Sequence, residues 1–222
     1  MVTPAKAGGQ SFKTSNTMSE RKKRLLFIVS APSGAGKTTL CKELAGVMPS
    51  LSHSVSHTTR KPRPGEKEGE HYYFISEEEF FGMREAGGFV EWAVVHGNLY
   101  GTSKMELDRL FSQGKDVILD IDTQGAQKIR DAEVEGVFIF ILPPSMEELE
   151  RRLRGRNSDD EEVIKKRLKR AVEEIREYDR YDYIIKNDNL LAALDTLKAI
   201  VTAEGSRIRN FDNEWVKEHF KV

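Results

Sequence analysis

Residues 25–39, LLFIVSAPSGAGKTT, carry the strongest structural signal in the chain. They begin with five consecutive large apolar residues, Leu25 to Val29, and continue with small and polar residues. An unbroken apolar run is typical of a strand that is buried on both faces of a parallel sheet. The pattern becomes helical near Thr38 to Met48, so the Gly-rich part predicts a tight turn between a buried strand and a helix.

This turn matches the P-loop pattern, in which small residues allow successive backbone N–H groups to surround phosphate oxygens. The N-terminus of the following helix adds a favourable partial positive charge. Lys37 would reach the β- and γ-phosphates, and the Thr38 hydroxyl would ligate Mg²⁺. Ala31 replaces the first glycine of the pattern, which alanine can do wherever φ is negative. The predicted ATP-binding loop comprises Ala31, Pro32, Ser33, Gly34, Ala35, Gly36, Lys37, Thr38 and Thr39.

Three further apolar runs predict more strands of the same sheet. They are Asp116–Asp122, Val137–Leu142 and Tyr183–Ile185, and helical segments alternate with them. Helices between parallel strands imply an α/β core with right-handed crossovers. We predict that this core combines residues 21–53, 103–145 and 181–204.

Two stretches interrupt the alternation of strands and helices. Residues 54–102 are rich in Gly, Pro and aromatic side chains and predict a small, partly β insertion. Residues 146–180 are charged and helical, with a break near 155–158. The second part of this helical region has an apolar stripe of Val163, Ile164, Leu168, Ala171 and Ile175.

The two ends of the chain differ from the rest. Residues 1–20 are polar and predicted to be disordered. Residues 205–222 form a C-terminal extension that suits a short amphipathic helix.

Composition and charge narrow the class of protein. Charged residues make up 32% of the chain, but the net charge is only −1. The chain therefore has no overall electrostatic field that would attract nucleic acid or an anionic membrane. No apolar run approaches the ~20 residues that span a bilayer. Cys41 is a single cysteine, which excludes an internal disulfide and fits a reducing compartment. We predict a cytoplasmic protein without a nucleic-acid or membrane partner, and leave monomer or homodimer open.

Five strings in the chain carry a family resemblance: SVSHTTRKPRPGE at 54–66, GEHYYF at 69–74, FVEWA at 89–93, GNLYGT at 97–102 and ILDIDTQG at 118–125. In this order and spacing, residues 24–204 resemble guanylate kinase. The resemblance implies a P-loop NTPase fold, an α/β class with a parallel sheet flanked by helices, a small α/β GMP-binding insertion and a helical lid. It also implies Mg²⁺-dependent phosphoryl transfer from ATP to GMP.

The chemistry of the residues agrees with a GMP site. Arg60 and Arg63 lie three apart on a proline-stiffened segment, and guanidinium groups suit a phosphate dianion. The carboxylate of Glu91 can accept both the N1–H and the N2 amino group of guanine. Adenine would instead place the lone pair of its N1 against this carboxylate, which would cost ~1–3 kcal/mol of binding free energy. The resemblance implies GMP contacts for Ser56, Arg60, Arg63, Tyr72, Glu91, Tyr100, Thr102, Asp120 and Asp122.

The resemblance assigns further roles in the helical region. Arg152, Arg156 and Arg167 match arginines of a lid that closes over the phosphates, so the predicted catalytic residues are Lys37, Arg60, Arg152, Arg156 and Arg167. Asn187 matches a position near the donor adenine. Residues 146–180 contain eleven basic and eleven acidic residues, and this balance argues against nucleic-acid binding.

Two alternatives remain at this stage. One is a related kinase for AMP, dTMP or a small metabolite, which Glu91 with Ser56 and Thr102 argues against. The other is a guanylate-kinase-like interaction module without catalysis, which the presence of Lys37 and Thr38 argues against.

Overall fold

A five-stranded parallel sheet lies at the centre of the part of the chain that the computed structural model describes, residues 23–95, 97–155 and 160–222. In spatial order its strands are β2 (Leu51–His53), β7 (Asp116–Asp120), β1 (Leu26–Ser30), β8 (Val137–Leu142) and β9 (Tyr183–Lys186). Every neighbouring pair is parallel, which confirms the predicted α/β fold class. The prediction missed β2, because three residues are too few to show a period, and it ended β7 two residues too late.

Helices cover both faces of this sheet, which explains the run of apolar residues in strand β1, Leu26 to Val29. Phe27 and Val29 pack in one cluster, with α1 (Lys37–Val47) and α7 (Leu190–Gly205). Leu26 and Ile28 pack in a second cluster on the opposite face, with α3 (Lys104–Ser112) and α4 (Thr123–Asp131). Successive side chains of a strand point to opposite faces, so two covered faces favour consecutive apolar residues rather than an alternating pattern.

The described part of the 54–102 insertion forms a second, four-stranded sheet. In spatial order its strands are β4 (Tyr73–Phe74), β3 (His57–Thr58), β6 (Asn98–Ser103) and β5 (Phe89–Val95). Helix α2 (Glu77–Glu85) begins with a capping box between Ser76 and Glu79. Phe80, Phe89 and Leu99 form the buried centre of this unit.

The charged region forms two helices, α5 (Met146–Arg154) and α6 (Glu161–Ile175), followed by a 3₁₀ turn at Tyr178–Arg180. Leu149, Leu153 and Ala171 bury a small core between the two helices. The predicted stripe on α6 is narrower than expected, because Ile164 is buried but Val163 is 39% exposed. Arg156 and residues 1–20, on which predictions were made, lie outside the described residues.

The C-terminal extension contains a 3₁₀ turn at Ile208–Asn210 and helix α8 (Asn213–Phe220), so the predicted short helix is confirmed. The buried Asn210 amide donates to the Glu204 carbonyl at 2.8 Å and ties the extension to α7. Among the helices that are described, none is long and apolar enough to cross a membrane.

The central sheet predicts a contrast between two isoleucines. Ile139→Ala on β8, where the side chain is fully buried, should lower the free energy of unfolding by about 2–5 kcal/mol. Ile184→Ala on the edge strand β9, where the side chain is 46% exposed, should cost less than about 1 kcal/mol. Urea unfolding monitored by circular dichroism measures both. Equal losses would contradict the described burial of β8.

Candidate active site

A cleft of about 260 Å³ opens where β1 and β7 end. Parallel α/β sheets bind ligands outside the carboxyl ends of their strands. The predicted residues that line it are Ala31, Pro32, Ser33, Gly34, Gly36, Lys37, Thr38, Thr39, Ser56, Tyr72, Glu91, Tyr100, Asp120 and Asp122. The other described predicted residues do not line it: Ala35, Arg60, Arg63, Thr102, Arg152, Arg167 and Asn187.

The P-loop takes the expected conformation at the start of α1. Gly36 precedes the helix with φ of 93°, a left-handed conformation that favours glycine. Positive φ among the described non-glycine residues occurs at Glu133 and Lys221, so Ala31 has a φ that alanine adopts without strain. The alanine at the first position of the pattern is therefore compatible with the loop.

Two predicted residues support this loop from behind. The Asn187 side-chain amide donates to the Ala35 carbonyl at 2.7 Å, and Asn187 is buried. Arg152 donates to the Asn187 carbonyl at 2.9 Å and to the Ala35 carbonyl at 3.5 Å, while Glu148 accepts a third bond at 2.8 Å. In this conformation both side chains therefore brace the phosphate loop.

Lys37 and Asp120 form the electrostatic centre of the cleft. The Lys37 ammonium contacts the Asp120 carboxylate and donates to the Ile121 carbonyl at 2.7 Å. Burial disfavours the charged lysine, but the pairing with Asp120 outweighs it and raises the pKa of Lys37. Burial likewise opposes ionisation of Asp120, yet the charge of Lys37, together with His53 and a bond from the Thr38 hydroxyl, lowers its pKa. Both groups are therefore charged at neutral pH.

Arg60 is held rigidly on the insertion side of the cleft. Its Nε donates to the Tyr100 hydroxyl at 3.1 Å and its Nη2 to Glu66 Oε1 at 2.8 Å. The other oxygen of Glu66 accepts the backbone N–H of Arg63 at 2.7 Å. Arg63 itself is exposed, so the predicted pair of arginines does not converge here. Glu66 was not among the predicted site residues, although its position in the same Pro-Gly turn as Arg63 was a signal in the sequence.

Tyr72 contributes a hydroxyl group to the cleft next to Arg60. The Arg60 guanidinium lies 5.4 Å from the centre of the Tyr72 ring. Burial raises the pKa of Tyr72 to about 12, so the phenol stays protonated and can donate a hydrogen bond.

Glu91 is a buried carboxylate in the wall of the cleft. It is only 5% exposed, and its Oε1 accepts bonds from the Thr102 N–H at 3.0 Å and the Thr102 hydroxyl at 2.7 Å. Burial raises its pKa to about 7, with Asp122 adding to the rise and the Thr102 bonds opposing it. Thr102 does not line the cleft itself and acts on it through its hydrogen bonds to Glu91. Ser56 lines the same cleft directly.

Helix α6 brings two residues that the sequence analysis missed. Arg170 donates to Asp122 Oδ2 at 3.1 Å and to Glu174 Oε1 at 2.9 Å, and Arg170 and Glu174 both line the cleft. Their i,i+4 spacing was a visible signal for a pair, but nothing in the sequence placed it opposite Asp122. Arg167, one of the predicted residues, lies half-buried on the same helix.

The cleft thus joins a P-loop with a charged lysine to a polar pocket that contains arginine, tyrosine and carboxylate groups. A site of this composition can place the terminal phosphate of a nucleotide against a second phosphorylated molecule, and it needs no covalent nucleophile. The fold and the cleft therefore define a P-loop kinase of the type that phosphorylates a small nucleotide.

Comparisons with known proteins identify the family. The guanylate kinase family model matches residues 22–204. Guanylate kinase of Geobacter metallireducens is 55% identical over 91% of this chain and 99% of its own length. The Escherichia coli O157:H7 enzyme is 52% identical over 82% of this chain and 89% of its own. The crystal structure of guanylate kinase from Anaplasma phagocytophilum superposes with a TM-score of 0.72, at 33% identity over 91% of this chain and 98% of that one. The chain belongs to the guanylate kinase family.

The loop conformation predicts opposite effects for two glycines at the ends of one helix. Gly36→Ala should lower stability by about 1–2 kcal/mol, because φ is positive and the added Cβ would lie 2.5 Å from the Asn187 amide nitrogen. Gly46→Ala, near the other end of α1, meets nothing within 4 Å and should raise stability by about 0.5–1 kcal/mol. Thermal unfolding distinguishes them, and a stabilising Gly36→Ala change would refute the described loop geometry.

Proposed function

We propose that this chain transfers a phosphoryl group from ATP to GMP, giving ADP and GDP, and so supplies guanine nucleotide synthesis. The observation that carries the proposal is the buried Glu91 carboxylate in the same cleft as the P-loop lysine. One oxygen of Glu91 is held by Thr102, so the carboxylate has a defined direction towards a base. A carboxylate accepts the two adjacent donors of guanine, whereas adenine presents a lone pair there.

The donor side suits ATP with Mg²⁺. The backbone of the P-loop and Lys37 would hold the phosphates, as the pattern of the loop suggests. The Thr38 hydroxyl hydrogen-bonds the Asp120 carboxylate, and both are hard oxygen ligands of the kind Mg²⁺ prefers. Magnesium bound with a nucleotide usually has few protein ligands, so this pair fits the ion. When bound, the ion would neutralise charge on the transferring phosphate.

The acceptor phosphate would lie between Arg60, Tyr72 and Tyr100. Glu66 and Tyr100 already fix the Arg60 guanidinium, so little side-chain entropy is lost when a phosphate binds. Arg63 lies next to this pocket on an exposed turn that contains Gly65, and we propose that it turns inward over the same phosphate.

The helices α5 and α6 act in this proposal as a lid over the transferring phosphate. Arg152 and Arg167 on these helices and Arg156 between them supply positive charge, which stabilises a loose phosphoryl-transfer transition state. Arg170 already lies in the cleft and adds to this set. A closed lid also excludes water, which limits hydrolysis of ATP. In this proposal Asn187 keeps the P-loop in place beneath the donor nucleotide. We place the protein in the cytoplasm, where both substrates are available.

A comparison of acceptors tests the proposal. ADP release from Mg·ATP should be fast with GMP and close to background with AMP, dTMP or no acceptor. Glu91→Gln should reduce kcat/KM for GMP by about 10–100-fold, since the amide offers one acceptor where the carboxylate offers two. Turnover with AMP or dTMP at the GMP rate would overturn the assigned acceptor. Binding of GMP without any turnover would support an interaction module instead.

The pKa of Glu91 predicts a pH dependence of GMP binding. Only the ionised carboxylate accepts both guanine donors, and its pKa in the free protein is about 7. Affinity should therefore rise by about tenfold between pH 6 and pH 8 through this group. The GMP phosphate, with a second pKa of about 6, contributes roughly a further twofold. Isothermal titration calorimetry of Glu91→Gln, which retains only the phosphate part, is the control. A wild-type slope in that variant would contradict the assignment.

A further inference from the structure

Gly125 lies in the first turn of α4, on the side that faces the Glu91 carboxylate. A Cβ added to Gly125 would lie 2.6 Å from Glu91 Oε2 and 3.2 Å from its Cδ. A carbon atom cannot approach an oxygen to 2.6 Å, so an alanine here requires the carboxylate or the helix to move.

Glu91 has little freedom to move away. Its Oε1 is fixed by the two bonds from Thr102, and the side chain is almost fully buried. Moving Oε2 therefore requires the carboxylate to rotate, and this rotation would bend or lengthen the two hydrogen bonds from Thr102 to Oε1. Buried hydrogen bonds to a charged group are costly to break.

The same residue holds a second carboxylate of the cleft. The Gly125 backbone N–H donates to Asp122 Oδ1 at 2.9 Å, which caps α4. Asp122 Oδ2 accepts Arg170 at 3.1 Å and the Gln124 amide at 3.1 Å. One turn of helix thus lies beside both acids: Gly125 leaves room for the Glu91 carboxylate, and its N–H holds Asp122 by a hydrogen bond.

We infer that Gly125 is a positioning residue for acceptor recognition: its missing side chain leaves the space in which the Glu91 carboxylate meets the base. The inference rests on the proposed GMP site. Any larger residue at 125 turns Oε2 away from the guanine donors while the P-loop side of the cleft is unchanged. The effect is specific to the acceptor, because Gly125 touches neither the P-loop nor Lys37 in the described contacts.

Gly125→Ala separates this role from an ordinary effect on the helix. Alanine normally favours a helix over glycine, so a change limited to the helix would stabilise the protein and leave the kinetics unaltered. We expect instead a rise in KM for GMP of about tenfold or more, from a weakened charged hydrogen bond. KM for ATP should stay within about twofold, since the donor side is not displaced.

Gly82→Ala is the matched control. Gly82 also lies inside a helix, α2, and an added Cβ there meets nothing within 4 Å. Its kinetic constants should equal those of the wild type. An unchanged KM for GMP in Gly125→Ala would overturn the inference, and so would an equal rise in KM for both nucleotides.

A double-mutant cycle tests whether Gly125 acts through Glu91. In a Glu91→Ala background no carboxylate remains to be displaced, so adding Gly125→Ala should change KM for GMP by less than about twofold. The same rise in both backgrounds would overturn the inference while leaving the proposed function intact. If Glu91→Ala alone leaves KM for GMP unaltered, the proposed base contact fails, and the inference fails with it.

The double variant also tests the inference in the case that Gly125→Ala alone does not fold. If Gly125→Ala does not fold but Glu91→Ala/Gly125→Ala does, the two groups compete for one space, as inferred. If neither variant folds while Glu91→Ala alone does, the Cβ meets something other than Glu91 and the inference is overturned. Thermal unfolding of the four proteins gives this result alongside the kinetics.

Discussion

The buried ion pair between Lys37 and Asp120 is the contact on which the cleft depends. Lys37 begins α1, which follows β1, and Asp120 ends β7, the strand that pairs with β1 in the central sheet. Two charges can leave water at modest cost only when each has a partner and further hydrogen bonds. The Ile121 carbonyl and the Thr38 hydroxyl provide these bonds. The pair thereby fixes the P-loop relative to the neighbouring strand β7. Asp122, the second acid at this edge of the sheet, follows two residues after Asp120.

The carboxylates of one cleft differ because their neighbours differ. Burial opposes the ionisation of both Asp120 and Glu91. The charge of Lys37 outweighs burial at Asp120 and lowers its pKa. The bonds from Thr102 do not offset burial at Glu91, whose pKa is raised. Burial raises the pKa of Glu174 as well, although Arg170 opposes the rise. The two cations that line the cleft among the described residues, Lys37 and Arg170, are thus matched to carboxylates of the chain. Phosphate oxygens of a nucleotide are stronger partners for the same cations. A nucleotide can therefore bind by replacing the carboxylates, and no cation is left without a partner.

The sequence predicted the elements that local chemistry controls. Apolar runs identified four of the five described central strands, and the Gly-rich turn identified the phosphate loop with its helix. It missed β2, whose three residues show no period. Nothing in the sequence indicated that the Asn187 amide donates to the Ala35 carbonyl, 152 residues away. The turn that Arg60 and Arg63 share directs only Arg60 towards Tyr100, which their spacing did not indicate.

The sequence by itself determined the α/β class, the P-loop, the insertion, the helical region and the family resemblance. Each of these depends on residue types at short spacing, which set backbone conformation and burial locally. Only the tertiary structure decided which distant residues lie side by side: Arg170 and Asp122, Asn187 and the P-loop, and Gly125 and Glu91. These contacts depend on strand order and on the packing of helices across the sheet. That packing is set by the burial of the whole core, so no short stretch of sequence contains it.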